Sequence, residues 1–209
     1  SGGFFVYIAF GPKVGISSKW FVEDYTYFYT NKSGVQLGAF FKYQVLDIFS
    51  ATLEVNYARK GSRFVDLNLI YSENSPIFMD EITRSDFVFH NLEIPVIATY
   101  HLGNLKAFAG CMMDVNISSW AHNVRTLYVQ DEAWEEIASK TDISDRIKYF
   151  DIAPVIGVGM DIEAGPVTLF CDLRYKMGFA NINNVTKYPN FTSNTLSIVV
   201  LANIKDVFF

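Results

Sequence analysis

The stretch Val167-Thr-Leu-Phe-Cys-Asp-Leu-Arg-Tyr-Lys-Met177 decides the fold. Every second residue from Val167 to Met177 is apolar, and the residues between them are polar or charged apart from Phe170. Side chains of a β-strand point alternately to its two faces, whereas a helix would mix the two sets. The stretch therefore predicts a strand with one apolar and one polar face.

Seven further stretches alternate in the same way, and the segments between them alternate in length. The stretches begin near Val6, Val35, Phe49, Val88, Leu105, Ile152 and Leu196. Long segments cover 18–33, 62–84, 119–148 and 180–192, and short turns fall near Leu46, Gly103 and Gly165. An even strand number with long loops at one end is typical of outer-membrane barrels. We predict an all-β fold: an eight-stranded antiparallel up-and-down transmembrane β-barrel with four long extracellular loops and short periplasmic turns, formed by residues 1–209 as a single domain.

Composition agrees with a strand-rich membrane protein. The 209 residues are 50% hydrophobic and include 19 Phe and 12 Tyr, residue types that favour strands. A net charge of -5 with scattered basic residues argues against nucleic acid as a partner. The sequence contains no run of about 18 apolar residues, so it predicts no helical membrane anchor. The chain begins Ser1-Gly2-Gly3 without Met, which predicts a mature form whose targeting segment has been removed.

The two faces could belong to a membrane barrel or to a soluble lipocalin-like binding barrel. Glycines and charges share the polar face, which suits the crowded inside of a narrow barrel better than a solvated surface. Aromatic residues end the apolar face at both rims: Tyr43, Phe49 and Tyr100 near the short turns, and Tyr57 and Tyr175 near the long loops. Such girdles mark membrane interfaces. The membrane barrel is the favoured interpretation, with the bacterial outer membrane as the expected location and the lipid bilayer as a partner.

Charges on the polar face balance in sign. Seven basic residues, Lys13, Lys42, Lys60, Lys106, Arg174, Lys176 and Lys205, share this face with seven acidic ones, Glu54, Glu93, Asp114, Asp151, Asp161, Glu163 and Asp172. Unpaired buried charge is costly, so this balance predicts internal ion pairs. We predict a filled lumen with a charge network formed by Lys42, Glu54, Glu93, Asp114, Asp161, Asp172, Arg174 and Lys176.

Candidate chemistry is sparse. Ser119 and His122 are the only candidate nucleophile and base that lie close together in a predicted loop. The alternative of a loop-sited enzyme depends on this pair. Neither a His-Glu-x-x-His nor a Cys-x-x-Cys spacing occurs. Cys111 and Cys171 lie two strands apart and are expected to be free thiols. We therefore predict no catalytic residues, no metal and no cofactor. The segment 131–138 is predicted to form a short acidic helix.

Four stretches resemble a known family. Glu54-Val-Asn-Tyr-Ala-Arg-Lys-Gly61, Asn91-Leu-Glu-Ile-Pro-Val-Ile-Ala98, Gly157-Val-Gly159 and Asp172-Leu-Arg-Tyr-Lys-Met-Gly-Phe-Ala-Asn-Ile182 resemble strands of the PorT-like outer-membrane barrels of Bacteroidetes. The terminal Phe208-Phe209 resembles the aromatic end that barrel-insertion machinery reads. The resemblance implies fold and location. One family member serves a protein-secretion system, and the family brings no catalytic residues.

Three functions follow as hypotheses. The first is a structural or interaction protein whose loops bind a partner, with secretion-machinery proteins among the candidates. The second is passive transport of a small solute through a narrow lumen, because small residues line the inner face. The third is the loop-sited enzyme. The first is preferred, because balanced charges predict a lumen filled by its own side chains.

Overall fold

A computed structural model describes residues 7–22, 29–71, 78–129, 132–178 and 192–204. Nine strands and one short 3-10 helix, Ser144–Arg146, form in this part of the chain. The strands are β1 Tyr7–Val22, β2 Tyr29–Leu46, β3 Phe49–Tyr71, β4 Phe78–Leu102, β5 Leu105–Val129, β6 Glu132–Asp142, β7 Phe150–Ala164, β8 Val167–Lys176 and β9 Thr192–Ile204.

Eight of these strands close into a ring. The order is β1-β2-β3-β4-β5-β7-β8-β9, and β9 pairs back onto β1, every neighbour being antiparallel. Val14 of β1, for example, faces Leu37 of β2 on one side and Val200 of β9 on the other. Closure gives every strand of the ring two partners and leaves the ring no edge. The predicted eight-stranded antiparallel barrel is confirmed.

Three two-residue turns join strands at one end of the ring. They lie between β2 and β3, between β4 and β5, and between β7 and β8. Gly103 and Gly165 occupy the first turn position of the second and third turns with φ of 65° and 61°. Two-residue hairpins need a positive φ at this position, which a residue without Cβ adopts at no steric cost. The short turns therefore fall where the sequence predicts them.

The alternation of the sequence sorts side chains between the outside and the lumen. Apolar residues such as Val14, Leu37 and Leu53 are exposed on the outside, whereas Lys13, Gln36 and Glu54 are buried inside. Aromatic side chains end the apolar band near the short turns, where the rings of Phe49 and Tyr100 are 5.1 Å apart. Among the described residues, no helix is long and apolar enough to cross a membrane.

Three of the four predicted long loops are in large part strand, and residues 180–191 of the fourth lie outside the described part of the chain. β3, β4 and β5 contain 23, 25 and 25 residues, although about 9–11 residues suffice to cross a bilayer. Their outer parts pair with one another, and β6 adds to β5 alone. We call this sheet the β extension; it consists of 61–71 of β3, 78–88 of β4, 118–129 of β5 and all of β6.

The acidic helix predicted over 131–138 is wrong. Residues from Glu132 onward form β6, which pairs with β5 from Val129↔Glu132 to Trp120↔Asp142. The segment is rich in helix-forming Glu and Ala, and this local preference is overridden because the outer part of β5 presents a free row of backbone groups. Asp131 lies outside the described residues.

A β-bulge in β5 changes which face its outer residues occupy. His90 of β4 pairs with Ser118 and Asn91 pairs with Asn116, so Ile117 has no partner residue on β4. Continued alternation predicts Ser118 on the inner face, but Ser119 is the buried residue there. The extra residue shifts the alternation by one from this point outward.

Candidate functional site

Charged side chains cross the lumen at three levels. The level nearest the short turns joins Lys42, Lys106, Asp161 and Asp172. The Lys106 Nζ lies 2.8 Å from carboxylate oxygens of both Asp161 and Asp172. The Lys42 Nζ lies 3.8 Å from Asp161, and their strands, β2 and β7, are diametrically opposite in the ring. This level therefore reaches across the whole bore.

The middle level is centred on Glu54, whose carboxylate is fully enclosed. Arg174 donates to it in a bidentate geometry, with nitrogen–oxygen distances of 2.8 and 2.7 Å. Lys13 Nζ donates to Glu54 at 2.6 Å, and Arg174 also donates to Asp172 at 2.6 Å. The shared Asp172 connects this level to the level below.

The upper level lies toward the β extension. Lys60 and Glu93 form an ion pair on adjacent strands, and Lys176 forms another with Asp114. The Asp151 carboxylate is 3.6 Å from Lys176 Nζ. All eight predicted network residues thus point into the lumen and take part in described ion pairs.

Two of the remaining predicted lumen charges are not found in the lumen among the described residues. Glu163 was predicted to face the lumen but is exposed, because it lies one residue before the end of β7 at the periphery of the ring. Lys205 lies outside the described residues.

Lys19 is a lumen cation that the sequence reasoning missed. It falls in the segment predicted as the first long loop, yet β1 continues to Val22 and buries Lys19 with 6% exposure. Its Nζ lies 4.2 Å from the centre of the Phe89 ring, a cation–π distance. Continuing the alternation of β1 by one period, two residues from Ser17 to Lys19, would have identified it.

Apolar side chains fill the space between the charged levels, which the sequence reasoning did not predict. Phe40 and Phe170 meet edge to face with centroids 5.8 Å apart, and Lys42 Nζ lies 4.3 Å from the centre of Phe170. Two clusters form, namely Ala9, Phe40, Phe170, Val199 and Leu201, and Ile97, Phe108, Met112 and Val155. The sequence contained a signal for this packing, namely apolar residues such as Phe170 at positions where the alternation expects a polar residue.

Little free space remains inside. One cavity of about 20 Å³ lies beside Lys106 and Phe170, and another of about 30 Å³ lies beside Lys19 and Asp151. A buried water needs roughly 10–15 Å³ measured in this way, so these cavities are large enough for only a few water molecules. Glycine is required where strands and side chains approach most closely. A Cβ on Gly157 would lie 2.3 Å from the Phe108 ring.

The segment after β6 covers part of the lumen mouth. Ile143 N–H donates to the Ser119 carbonyl at 2.9 Å, and Ser119 N–H donates to Ser144 Oγ at 2.9 Å. Ile147 and Lys148 then line the upper cavity together with Lys19. Three of the four groups in these two hydrogen bonds belong to the backbone, and the fourth is the Ser144 hydroxyl. The position of the segment therefore depends on few side chains.

The predicted pair of Ser119 and His122 is not brought together. Ser119 is buried and donates from its hydroxyl to Asn116 at 2.9 Å, whereas His122 is exposed on the other face of β5. Residues three apart in a regular strand point to opposite faces. The geometry contradicts a nucleophile and base at these positions.

Other candidate side chains occupy ordinary structural positions. His101, predicted at a short turn, is the penultimate residue of β4, and its ring lies inside the lumen with Nε2 2.9 Å from the Ser50 hydroxyl. Cys111 and Cys171 are free thiols. Within the described ranges, no group of three or more His, Cys, Asp or Glu side chains is arranged to hold a metal ion.

Past the apolar band, an ion cluster forms on the outer face of the β extension. Asp86 accepts a hydrogen bond from Arg63 Nε at 2.6 Å, and its carboxylate lies 3.1 Å from Lys32 Nζ and 3.6 Å from Arg84. Partial burial opposes ionisation of Asp86, but hydrogen bonds from Arg63 and Lys32 outweigh it and lower the pKa of this carboxyl. The cluster surrounds one carboxylate with three cations.

A closed antiparallel ring with an apolar outside and a charged inside defines a transmembrane β-barrel. Residues 6–184 match the family described as outer membrane protein beta-barrel domain, and the chain belongs to this family. The protein is therefore located in the bacterial outer membrane, where its barrel sits in the lipid bilayer.

Solved structures with similar folds include those of two proteins. One is Ail, the attachment invasion locus protein of Yersinia pestis, in complex with the heparin analogue sucrose octasulfate, with 11% identity, a TM-score of 0.42, and coverage of 93% of this chain and 97% of Ail. The other is Neisserial surface protein A, with 14% identity, a TM-score of 0.43, and coverage of 93% and 96%. No curated protein sequence matches this chain.

Proposed function

We propose that this protein is an interaction protein of the outer membrane that binds a partner protein through its β extension, and that it is neither a transporter nor an enzyme. The proposal takes the whole chain, 1–209, as one barrel domain that anchors the β extension in the bilayer. The observation that carries it is the exposed edge of β6, presented at one end of a barrel whose lumen is filled.

The lumen argues against transport of a solute. Glu54 and Arg174 meet across the bore, Lys42 approaches Asp161 from the opposite side, and apolar clusters occupy the space between the charged levels. A passing solute would have to separate buried ion pairs, and breaking one such pair costs about 3–5 kcal/mol. We infer that the lumen network stabilises the barrel rather than guiding cargo.

β6 provides a surface suited to another extended chain. It pairs with β5 on one side and has no strand partner on the other among the described residues. Side chains from Glu136 to Asp142 are exposed throughout. An open edge offers a row of backbone N–H and C=O groups that an added strand can pair with. We expect this edge at the cell surface, because the long connections of outer-membrane barrels face outward.

The chemistry of β6 indicates which chain would fit. The strand carries four carboxylates, on Glu132, Glu135, Glu136 and Asp142, and one cation, Lys140. Opposite charges on directly facing strands stabilise pairing, whereas like charges oppose it. A partner with an extended, net basic segment is therefore expected. The resemblance to PorT-like barrels of Bacteroidetes makes a protein-secretion component the first candidate.

Co-purification from native outer membranes in mild detergent tests the proposal. Ala138→Pro and Ser139→Pro form a matched pair, because adjacent residues of a strand direct their N–H groups to opposite sides. In one variant proline removes a backbone N–H that donates to β5. In the other, the open-edge variant, it removes a backbone N–H that points away from β5 at the open edge. We expect wild type to retain a stoichiometric secretion-machinery protein, and the open-edge variant to lose it while remaining folded.

Two outcomes would count against the proposal. Retention of the same partner by both proline variants would show that the edge of β6 is not the binding surface. A steady, sizeable conductance in single-channel recordings would contradict the filled lumen and favour the transport alternative. A barrel that purifies alone from membranes rich in the secretion machinery would remove the secretion assignment.

A further inference from the structure

A basic surface lies on the outside of the barrel, immediately past the apolar band. We call it the basic shelf; it consists of Lys32, Arg59, Arg63 and Arg84. Arg59 is two residues beyond Tyr57, which ends the band on β3 and points to the same side. At a rise of about 3.3 Å per residue and a tilt near 45°, Arg59 lies about 5 Å above Tyr57. This height matches the headgroup layer, which adds about 5–7 Å to each side of the hydrocarbon core.

The positive charge of the basic shelf exceeds the negative charge of the groups in contact with it. Asp86 is the one described carboxylate in contact with it, and it is shared by Arg63, Lys32 and Arg84. Arg59 is exposed and forms no ion pair with a described carboxylate. The surplus is local, because the whole chain has a net charge of -5. Such a surplus attracts an anion, and guanidinium groups pair with phosphate in a bidentate geometry.

A cavity joins the basic shelf to the apolar band. It has a volume of about 270 Å³ and is lined by Lys32 and Arg59 and by the aliphatic side chains of Ile16, Val35 and Val88. The cavity lies where the pairing of β2 with β3 shifts between Lys32 and Val35. Ile16 and Val35 are exposed on the membrane-facing side. The lining is therefore cationic toward the outside and aliphatic toward the membrane.

We propose that the basic shelf and this cavity bind the phosphorylated headgroup of a lipid in the outer leaflet. The phosphate would contact Arg59 and Lys32, and the start of an acyl chain would pack against Ile16 and Val35. A lipid fits better than a soluble anion for two reasons. Much of the cavity lining is aliphatic, and Arg59 lies at the height where lipid phosphates are found. The site is independent of the edge of β6 and of any protein partner.

Binding of lipid A, a glycolipid with two phosphates, tests this site. The full chain in a neutral maltoside detergent is titrated with lipid A, and bound lipid is measured by native mass spectrometry. The variants are Lys32→Gln, Arg59→Gln and the double variant, and Arg146→Gln is the control because Arg146 is an exposed cation on the 3-10 helix. Heat-dependent gel mobility confirms that each barrel is folded.

We expect each shelf substitution to weaken binding about fivefold, and the pair about 25-fold, because a basic residue near an anionic lipid surface contributes about 1 kcal/mol. Arg146→Gln should bind as wild type does, and lipid A stripped of its phosphates should bind weakly to all. Equal affinity of the double variant and wild type would overturn the proposal. Inorganic phosphate binding as tightly as lipid A would also overturn it, by assigning the shelf to a free anion.

Discussion

Glu54 of β3 and Arg174 of β8 form a bidentate ion pair between strands on diametrically opposite sides of the barrel, with Arg174 Nη2 2.7 Å from Glu54 Oε1. Each residue reaches the barrel axis, so this pair closes the bore. Small residues share the lumen with these long side chains because other groups crowd them: a Cβ on Gly38 would lie 2.3 Å from Asn56 Oδ1, and one on Gly157 would lie 2.3 Å from the Phe108 ring.

Replacing Glu54 by alanine should strongly destabilise the barrel. Arg174 and Lys13 would remain buried without their main acceptor, and breaking a buried ion pair typically costs about 3–5 kcal/mol. We expect a loss of that size in the free energy of unfolding, measured by urea titration of the barrel refolded in lipid vesicles. Glu163→Ala is the control, because Glu163 is an exposed carboxylate, and it should change stability by less than about 0.5 kcal/mol. An equal loss in both variants would contradict a central role for Glu54.

The double variant Glu54→Ala/Arg174→Ala tests the coupling of these two residues. Removing both partners leaves fewer unpaired charges than removing one, so the double loss should be smaller than the sum of the single losses by about 1–3 kcal/mol. The same variant widens the middle level of the lumen, and single-channel recordings should detect more frequent current than in wild type. Additive losses in a full double-mutant cycle would show that the two side chains do not depend on each other.

Gly157→Ala should destabilise the lumen packing. The new Cβ would lie 2.3 Å from both the Phe108 ring and the Leu173 carbonyl, so strand or ring must move. Overpacking of this kind costs about 1–3 kcal/mol, which the urea titration would detect. Ala107→Val is the control, because Ala107 is exposed on the outside of β5 and its added methyl groups enter lipid. If Gly157→Ala unfolds at the same urea concentration as wild type, the close packing around Gly157 is contradicted.

Asp86 should titrate below the ordinary range of an aspartate. Burial opposes its ionisation, but hydrogen bonds from Arg63 and Lys32 lower its pKa. A lowered folded-state pKa gives stability that is present above the unfolded value of about 3.9 and is lost as the pH falls through the folded value. Carbon-13 NMR of the Asp86 carboxyl in micelles should give a midpoint below about 3.9. The Arg63→Gln variant should raise this midpoint, and Arg146→Gln should not. An unchanged midpoint in Arg63→Gln would remove Arg63 as the cause.

The ring and its two faces follow from local features of the sequence. Alternation such as that from Val167 to Met177 depends on a period of two, which is a local property of the strand backbone. Short turns at Gly103 and Gly165 and the balance of charges on one face are equally local signals. They were enough to predict eight strands and a membrane-facing outside.

Which charges meet, and where strands continue beyond the membrane, depends on tertiary contacts. The partners Glu54 and Arg174 are 120 residues apart, and ring closure rather than sequence spacing brings them together. β6 forms because the outer part of β5 offers it backbone partners, against the helical preference of its own residues. The bulge at Ile117 has the same origin, because it depends on how β4 and β5 pair, and local alternation carries no record of that pairing.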